Sequence, residues 1–182
     1  MKTYEKPLPD IIGENLKVLF VGYNPGITSA RMRHHYSHRS NRFWRLMFES
    51  GLTPYKFSSE DDYKLLELGF GSTNIVDRPT REAGEISKEE LRIGAYNLYE
   101  MIKEIKPQIV CYAGIGVYKA YASVILEKPL SNIKVSPGLQ PESIIEGIKD
   151  FVCPNPSGLN TMPYHEQLRY YKELKALISE TE

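Results

Sequence analysis

The feature that most constrains this chain is a set of short apolar runs that alternate with helical patterns. Lys17–Val21 (KVLFV) is closed by Gly22, and Ser72–Val76 (STNIV), Gln108–Ala113 (QIVCYA) and Lys149–Cys153 (KDFVC) follow it. Continuous short apolar runs of this kind read as strands buried on both faces. Between them lie helical patterns at Asn41–Ser50, with apolar Phe43, Trp44, Met47 and Phe48, at Glu60–Leu68 and at Ile115–Val124. Ser87-Lys-Glu-Glu90 is a capping box that opens a long helix with the stripe Leu91, Ala95, Leu98, Ile102 and Ile105. Tyr164–Ser179 carries Tyr164, Leu168, Tyr171, Leu174 and Ile178 on one face. The segment 125–147 is rich in Pro and Gly and holds one further candidate strand, Ile133–Val135. Strands separated by helices imply parallel pairing, right-handed crossovers and helices on both faces. The expected fold is α/β: one domain over residues 1–182, three layers α/β/α, with a central, mostly parallel sheet of about four strands.

Composition narrows the function classes. With 41% hydrophobic and 25% charged residues among 182, the chain is not a disordered or coiled-coil protein. No apolar run approaches the roughly 18 residues of a membrane span, and the start, MKTYEKPLPD, lacks a signal-peptide core. Two cysteines, Cys111 and Cys153, exclude a disulfide scaffold, a four-cysteine zinc site and a four-cysteine iron–sulfur cluster. The expectation is a soluble intracellular monomer with reduced thiols, no membrane partner and neither cofactor nor metal. His34, His35 and His38 lie among arginines, which repel a cation. A GxxxxGK[ST] loop, a complete dinucleotide fingerprint and a GxSxG elbow are all missing. Net charge is zero, yet no acid falls between Glu14 and Glu49, a stretch holding Lys17, Arg31, Arg33, Arg39, Arg42 and Arg45. That local excess is a candidate footprint for phosphate, with a solvated charged face as the plain alternative.

In open parallel sheets, ligands bind beyond the carboxyl ends of the strands. The loops there are Gly22-Tyr-Asn-Pro-Gly26, Asn74 running into Asp77-Arg-Pro-Thr80, Gly114-Ile-Gly116, and Pro154-Asn-Pro-Ser-Gly158-Leu-Asn160. Three of the four carry an asparagine. An amide offers donors and an acceptor without charge, which suits reading a nucleobase edge or holding a water. Asn-Pro and Pro-Gly are also ordinary turn chemistry.

At these residues the chain resembles the mismatch-specific uracil/thymine DNA glycosylases. Gly22-Tyr-Asn-Pro-Gly26 is similar to their first motif (GINPG), and Asn155-Pro-Ser-Gly-Leu159 matches their second (NPSGL). His34-His-Tyr36, Asn41-Arg-Phe-Trp44, Val76-Asp-Arg-Pro-Thr80 and Leu139-Gln-Pro141 agree in order and spacing, from about Leu8 to the last helix. The resemblance implies the uracil-DNA glycosylase fold and base excision repair. The damaged base would be flipped from mismatched double-stranded DNA and its N-glycosidic bond hydrolysed to leave an abasic site. Localisation would be cytoplasmic and nucleoid-associated in a prokaryote, nuclear otherwise.

The resemblance also implies roles. Asn24 and Asn155 would be catalytic, the first holding the attacking water and the second contacting the base or abasic sugar. Tyr23 through Ile27, Ser29, His35, Tyr36 and Asn74 would form the base pocket. There Tyr36 would stack on the base, Asn74 read the pyrimidine edge, and Ser29 stand near C5, where it weighs against thymine. His35 is a candidate hydrogen-bond partner of the leaving base or sugar phosphate, or else a solvated basic-face histidine. Ser157, Gly158, Leu159 and Asn160 would form the DNA wedge and its phosphate contacts, with Arg31, Arg33, Arg39 and Arg42 along the backbone. Asn160-Thr161-Met162 departs from bacterial members, which often carry an arginine after this loop that reads the widowed guanine. Asp77 and Arg78 are expected to form a structural ion pair. Two other readings remain open: a catalytically weak DNA-lesion binding module of the same fold, and a small-molecule nucleotide-binding enzyme.

Overall fold

A computed structural model describes residues 7–180. Residues 1–6 and 181–182, with most of the N-terminal stretch read as lacking a signal-peptide core, lie outside the described residues. The elements are β1 (Val18–Gly22), α1 (Ile27–Met32), α2 (Phe43–Glu49), β2 (Phe70–Asn74), α3 (Lys88–Ile105), β3 (Ile109–Ala113), α4 (Ile115–Ile125), β4 (Gly138–Leu139), β5 (Lys149–Cys153) and α5 (Tyr164–Ser179). A 3-10 helix, Ser59–Leu68, precedes β2.

The strands form one sheet in the order β2-β1-β3-β5-β4. β1, β2, β3 and β5 pair in parallel, and β4 adds a short antiparallel edge through Gly138↔Val152 and Leu139↔Phe151. Alternation along each strand divides the core in two. Leu19, Val21, Val110, Tyr112 and Val152 face the layer of α3 and α4, against Ala95, Leu98, Ile102 and Tyr121. Val18, Phe20, Cys111, Phe151 and Cys153 face α2, the 3-10 helix and α5, against Phe43, Leu46, Leu65, Tyr171 and Leu174. β1 and β3, buried on both faces, are apolar along their length, whereas β2 and β5 bury Ser72, Thr73 and Asp150, each hydrogen-bonded to another side chain. This is the expected three-layer α/β/α arrangement with five strands in place of about four.

Other differences have local causes. A strand is expected at Ile133–Val135, but those residues follow a 3-10 turn at 130–132 without regular structure, and pairing begins only at Gly138. Ile133 is apolar because its side chain enters the α3/α4 core, not because its backbone joins a ladder. The strand expected at Ser72–Val76 begins earlier, at Phe70, and Ile75 and Val76 continue as a core-facing loop. Residues 59–68 wind with a threefold period. Asp62 and Leu65 are buried and Leu68 packs on the core, so the inward positions recur every three residues. The Ser87–Glu90 capping box closes on α3 as its spacing implies.

No helix among the described residues is long and apolar enough to cross a membrane. The chain leaves β1 for β2 on one side, and β3 lies on the other. The carboxyl end of β1 is therefore the switch point where a crevice opens.

Candidate active site

At that switch point lies a cavity of about 250 Å³ lined by Tyr23, Asn24, Ser29, His35, Tyr36, Asn74 and Asn155, among others. A wider groove of about 680 Å³ adjoins it and shares Tyr23 and Asn155, running out past Ser157, Leu159 and Asn160. A hollow of about 360 Å³ beside α4 holds none of the strand-end asparagines. Seven of the residues assigned to catalysis and base binding thus converge: Tyr23, Asn24, Asn74 and Asn155 from the ends of β1, β2 and β5, and Ser29, His35 and Tyr36 from α1 and the loop after it. Ile27 does not line the inner cavity, since it is the first residue of α1, with Gly26 as the N-cap.

The loops after β1 and β2 are stitched together. Ile75 N donates to Gly22 O, Val76 N to Tyr23 O, and Thr80 N to Pro25 O. Asn24 hangs from this seam. Its Nδ2 donates to Thr80 Oγ1 at 2.7 Å and to Arg78 O at 3.0 Å. The amide's Oδ1 is the atom left to accept from a ligand or a water. Thr80 was part of a quoted motif, but sequence reasoning gave it no role. What reveals it is a contact across 56 positions, which one sequence does not show.

Asn155 has the opposite polarity. Its Oδ1 accepts from Ser157 N at 2.9 Å in a tight turn, leaving Nδ2 as the outward donor. The cleft therefore has an amide acceptor on one side and an amide donor on the other. Asn74 closes the end of β2 opposite Gly22. A Cβ at Gly22 would lie 2.4 Å from Asn74 Oδ1, so only glycine leaves room for that amide.

His35 is placed differently from expectation. It is 3% exposed, and both ring nitrogens meet protein atoms: Nε2 with Pro9 O at 2.8 Å and Nδ1 with Ser72 Oγ at 2.9 Å. The Pro9 carbonyl can only accept, so Nε2 carries the proton and Nδ1 accepts from Ser72. The ring has no nitrogen free for a leaving base or phosphate, nor is it a solvated surface histidine. Burial lowers its pKa, with the Pro9 hydrogen bond and the Asp62 charge opposing and His34 adding a smaller lowering. It is neutral scaffolding.

Tyr36 stacks one face on Phe43, with centroids 3.8 Å apart and planes 15° from parallel, while lining the cavity. Its backbone is left-handed, φ 54°, a conformation that costs a non-glycine residue roughly 1–2 kcal/mol. Both neighbours pin it: His35 N donates to Asp62 Oδ2, and Ser37 N to Ser29 Oγ. Burial pushes the phenol well above its usual pKa, with a Ser72 hydrogen bond opposing.

The wedge candidates form a hydrogen-bonded loop, half-buried except at its tip. Leu159 is 91% exposed. Asn160 clasps the loop from within, its Nδ2 donating to Asn155 O and its Oδ1 accepting from Met162 N. Ser157 Oγ accepts from Leu159 N. The 38–42 loop braces it: Arg42 N donates to Pro156 O and Arg42 Nη1 to Asn160 O. Arg31, Arg33 and Arg39 are exposed. The basic stretch is partly offset in space, because Arg45 pairs with Glu49 and His34 with Asp62. Arg78 pairs with Glu90, not with the neighbouring Asp77, which is exposed. No group of three His, Cys, Asp or Glu among the described residues is arranged to hold a metal ion.

The solution NMR structure of a proposed uracil DNA glycosylase from Methanosarcina acetivorans is similar in fold. Its TM-score is 0.64 at 21% identity, with 95% of this chain and 99% of that one covered. The family model of the Uracil DNA glycosylase superfamily matches residues 9–177, nearly all that the structure describes, and the chain belongs to that superfamily.

Proposed function

We propose that this protein is a monofunctional DNA glycosylase that removes uracil from mispaired positions in double-stranded DNA. The observation that carries the reading is the pair of oppositely presented amides, Asn24 and Asn155, on two sides of one small cavity. Breaking an N-glycosidic bond builds positive charge on the sugar and negative charge on the departing base. Uracil leaves tolerably well as an anion, so the site needs an oriented water and a donor for the leaving group more than a strong base. Asn24 Oδ1 supplies an acceptor for a water proton, which turns the water's lone pair toward the anomeric carbon. Asn155 Nδ2 supplies a donor for the base or the abasic sugar. Tyr36 offers a stacking face and Asn74 an amide for the pyrimidine edge.

The cavity, about 250 Å³, falls below the roughly 300 Å³ at which drug-sized ligand sites begin. That scale suits one extruded base rather than a whole nucleotide. Flipping costs a few kcal/mol, least for a mispaired base, which favours mismatches. Leu159 fits the part of a wedge filling the vacated stack. Ser29 on the wall favours uracil over thymine, and the missing arginine at 160–162 points to weak selection for an opposite guanine.

The test is single-turnover incubation with end-labelled duplexes carrying G·U, A·U, G·T and G·hypoxanthine, with EDTA present, followed by alkaline cleavage. Cleavage faster at G·U than at A·U, weaker at G·T and lost in Asn24→Ala, is the expected result. Tight binding to every duplex without cleavage of any would replace this reading with a lesion-binding module.

A further inference from the structure

We infer that Thr80 is a positioning residue, whose hydroxyl fixes the Asn24 amide so that its acceptor end, not its donor end, faces the cleft. This rests on the glycosylase reading above. The two ends of an asparagine amide are nearly the same size, and a half-turn exchanges two donors for an acceptor. The orientation is a chemical question as much as a steric one.

The partners of Thr80 answer it. Its hydroxyl donates to Glu82 O at 2.8 Å. A hydroxyl has one proton, and a backbone carbonyl can only accept. With that proton committed, Thr80 Oγ1 can only accept from Asn24, which it does at 2.7 Å. The Arg78 carbonyl at 3.0 Å asks for the same end of the amide. A flipped Asn24 would set its oxygen against a carbonyl oxygen and a hydroxyl lone pair. Thr80 is 3% exposed, so water cannot take its place cheaply, and its own N–H is held by Pro25 O. The direction therefore runs as a relay, from Asn24 to Thr80 to the Glu82 carbonyl. Without it, the amide can present an N–H to the water, which then points its lone pair at Asn24 instead of at the sugar.

The test compares wild type with Thr80→Val, which keeps the shape and removes the hydroxyl, and with Thr80→Ser, which keeps the hydroxyl. A first readout is the 15N NMR signal of the Asn24 side-chain amide, identified by its loss in Asn24→Ala. It is expected to shift and lose protection from hydrogen exchange in Thr80→Val and to stay close to wild type in Thr80→Ser. A second is single-turnover uracil release, expected to fall about 10–100-fold in Thr80→Val, the scale of a misaligned reacting group. Affinity for the uracil duplex should be unchanged, and Thr80→Ser should restore most of the rate. Should Thr80→Val fail to fold, Thr80→Cys, with its poor acceptor sulfur, takes its place.

An unmoved Asn24 signal together with wild-type rate in Thr80→Val would overturn the inference, while Asn24→Ala still without activity would leave the glycosylase reading standing. Equal loss of duplex affinity and rate would assign Thr80 to general structure and overturn it as well. A wild type that releases no uracil would sink the glycosylase reading. The amide spectrum would then still decide whether Thr80 sets the orientation of Asn24.

Discussion

The floor and the rim of the cleft are built in opposite ways. On the floor, the polar groups that frame the cavity are tied to partners from distant parts of the chain or the next loop: Asn24 to Thr80 and Arg78, His35 to Pro9 and Ser72, Ser29 to Ser37. The rim, residues 155–162, is held by its own turns and by the 38–42 loop, and it leaves Leu159 91% exposed at its tip. A leucine in water with no neighbour to cover it contributes nothing to the fold. Under the proposed glycosylase function the contrast separates two tasks. The floor is preorganised to aim an amide, where small errors in angle are costly. The rim is preorganised to hold an apolar side chain ready for a surface that arrives with the substrate.

The largest effect that tests this contrast is on the floor. Asn24→Ala is expected to lower the single-turnover rate by about 10²–10³, the scale of losing one preorganised polar group at a reacting centre. Duplex affinity should barely change, as measured by fluorescence anisotropy. Loss of affinity equal to the loss of rate would mean that the floor binds more than it aims, and the division of labour would collapse.

Next in size is Gly158→Ala on the rim. A Cβ there would stand 2.6 Å from Ser40 Oγ and 2.8 Å from Ser40 O. The loop must then part from the 38–42 brace, at a cost of about 1–3 kcal/mol for overpacking. Affinity for a mispaired duplex is expected to fall more than stability predicts, because Leu159, the proposed wedge, moves with the loop. Leu159→Ala should have a smaller and cleaner effect. Thermal stability should stay within about 0.5 kcal/mol of wild type, as for an exposed side chain without partners. Affinity for mispaired DNA should drop about tenfold, by loss of an apolar insertion. A clear loss of stability in Leu159→Ala would make it a structural residue and remove the contrast.

The sequence made the framework of this molecule legible and the joinery of its site much less so. Strands β1, β3 and β5, the helices α3, α4 and α5, and the convergence of Asn24, Asn74 and Asn155 all follow from apolar runs, helical stripes and the rule that ligands gather at strand ends. α1 escaped because six residues, Ile27–Met32, are too few to show a period. The fifth strand escaped because two residues carry no alternation. Arg78 was paired with its chain neighbour Asp77, whereas the fold brings Glu90 to it from the first turn of α3. For His35 the sequence offers two readings, a hydrogen-bond partner of the leaving base or sugar phosphate and a solvated basic-face histidine, and the fold uses neither. Its true partners, Pro9 and Ser72, come from 26 and 37 positions away. A single sequence shows which residues have suitable chemistry. It does not show which of their hydrogen-bonding groups the fold has already used.

The smallest effect concerns pH, and it separates floor from rim without any substrate. The His35 pKa is lowered by burial, against the Pro9 hydrogen bond and the Asp62 charge. In the unfolded chain a histidine titrates near 6.5. Below that value the unfolded state takes up a proton that the folded state resists, so stability is lost as pH falls through this window. Asp150 works in the other direction. Burial pushes its carboxyl up to about 6 from 3.8, with hydrogen bonds from Ile144 N and Tyr112 opposing. Between those values the folded state keeps a proton that the unfolded state has released, so Asp150 costs stability as pH rises through them. The His35 window opens below 6.5 and the Asp150 window below about 6, so a wild-type curve alone would blur them. Melting curves from pH 7.5 to 5 for wild type, His35→Gln, Asp150→Asn and Leu159→Ala resolve the two. The gap between wild type and His35→Gln should narrow as pH falls, because only the histidine must resist protonation. Wild type should gain on Asp150→Asn over the same range. Leu159→Ala should run parallel to wild type throughout, since residues 155–162 contain no titratable side chain. If Leu159→Ala diverges with pH, or His35→Gln runs parallel, the floor and rim are not separate structures.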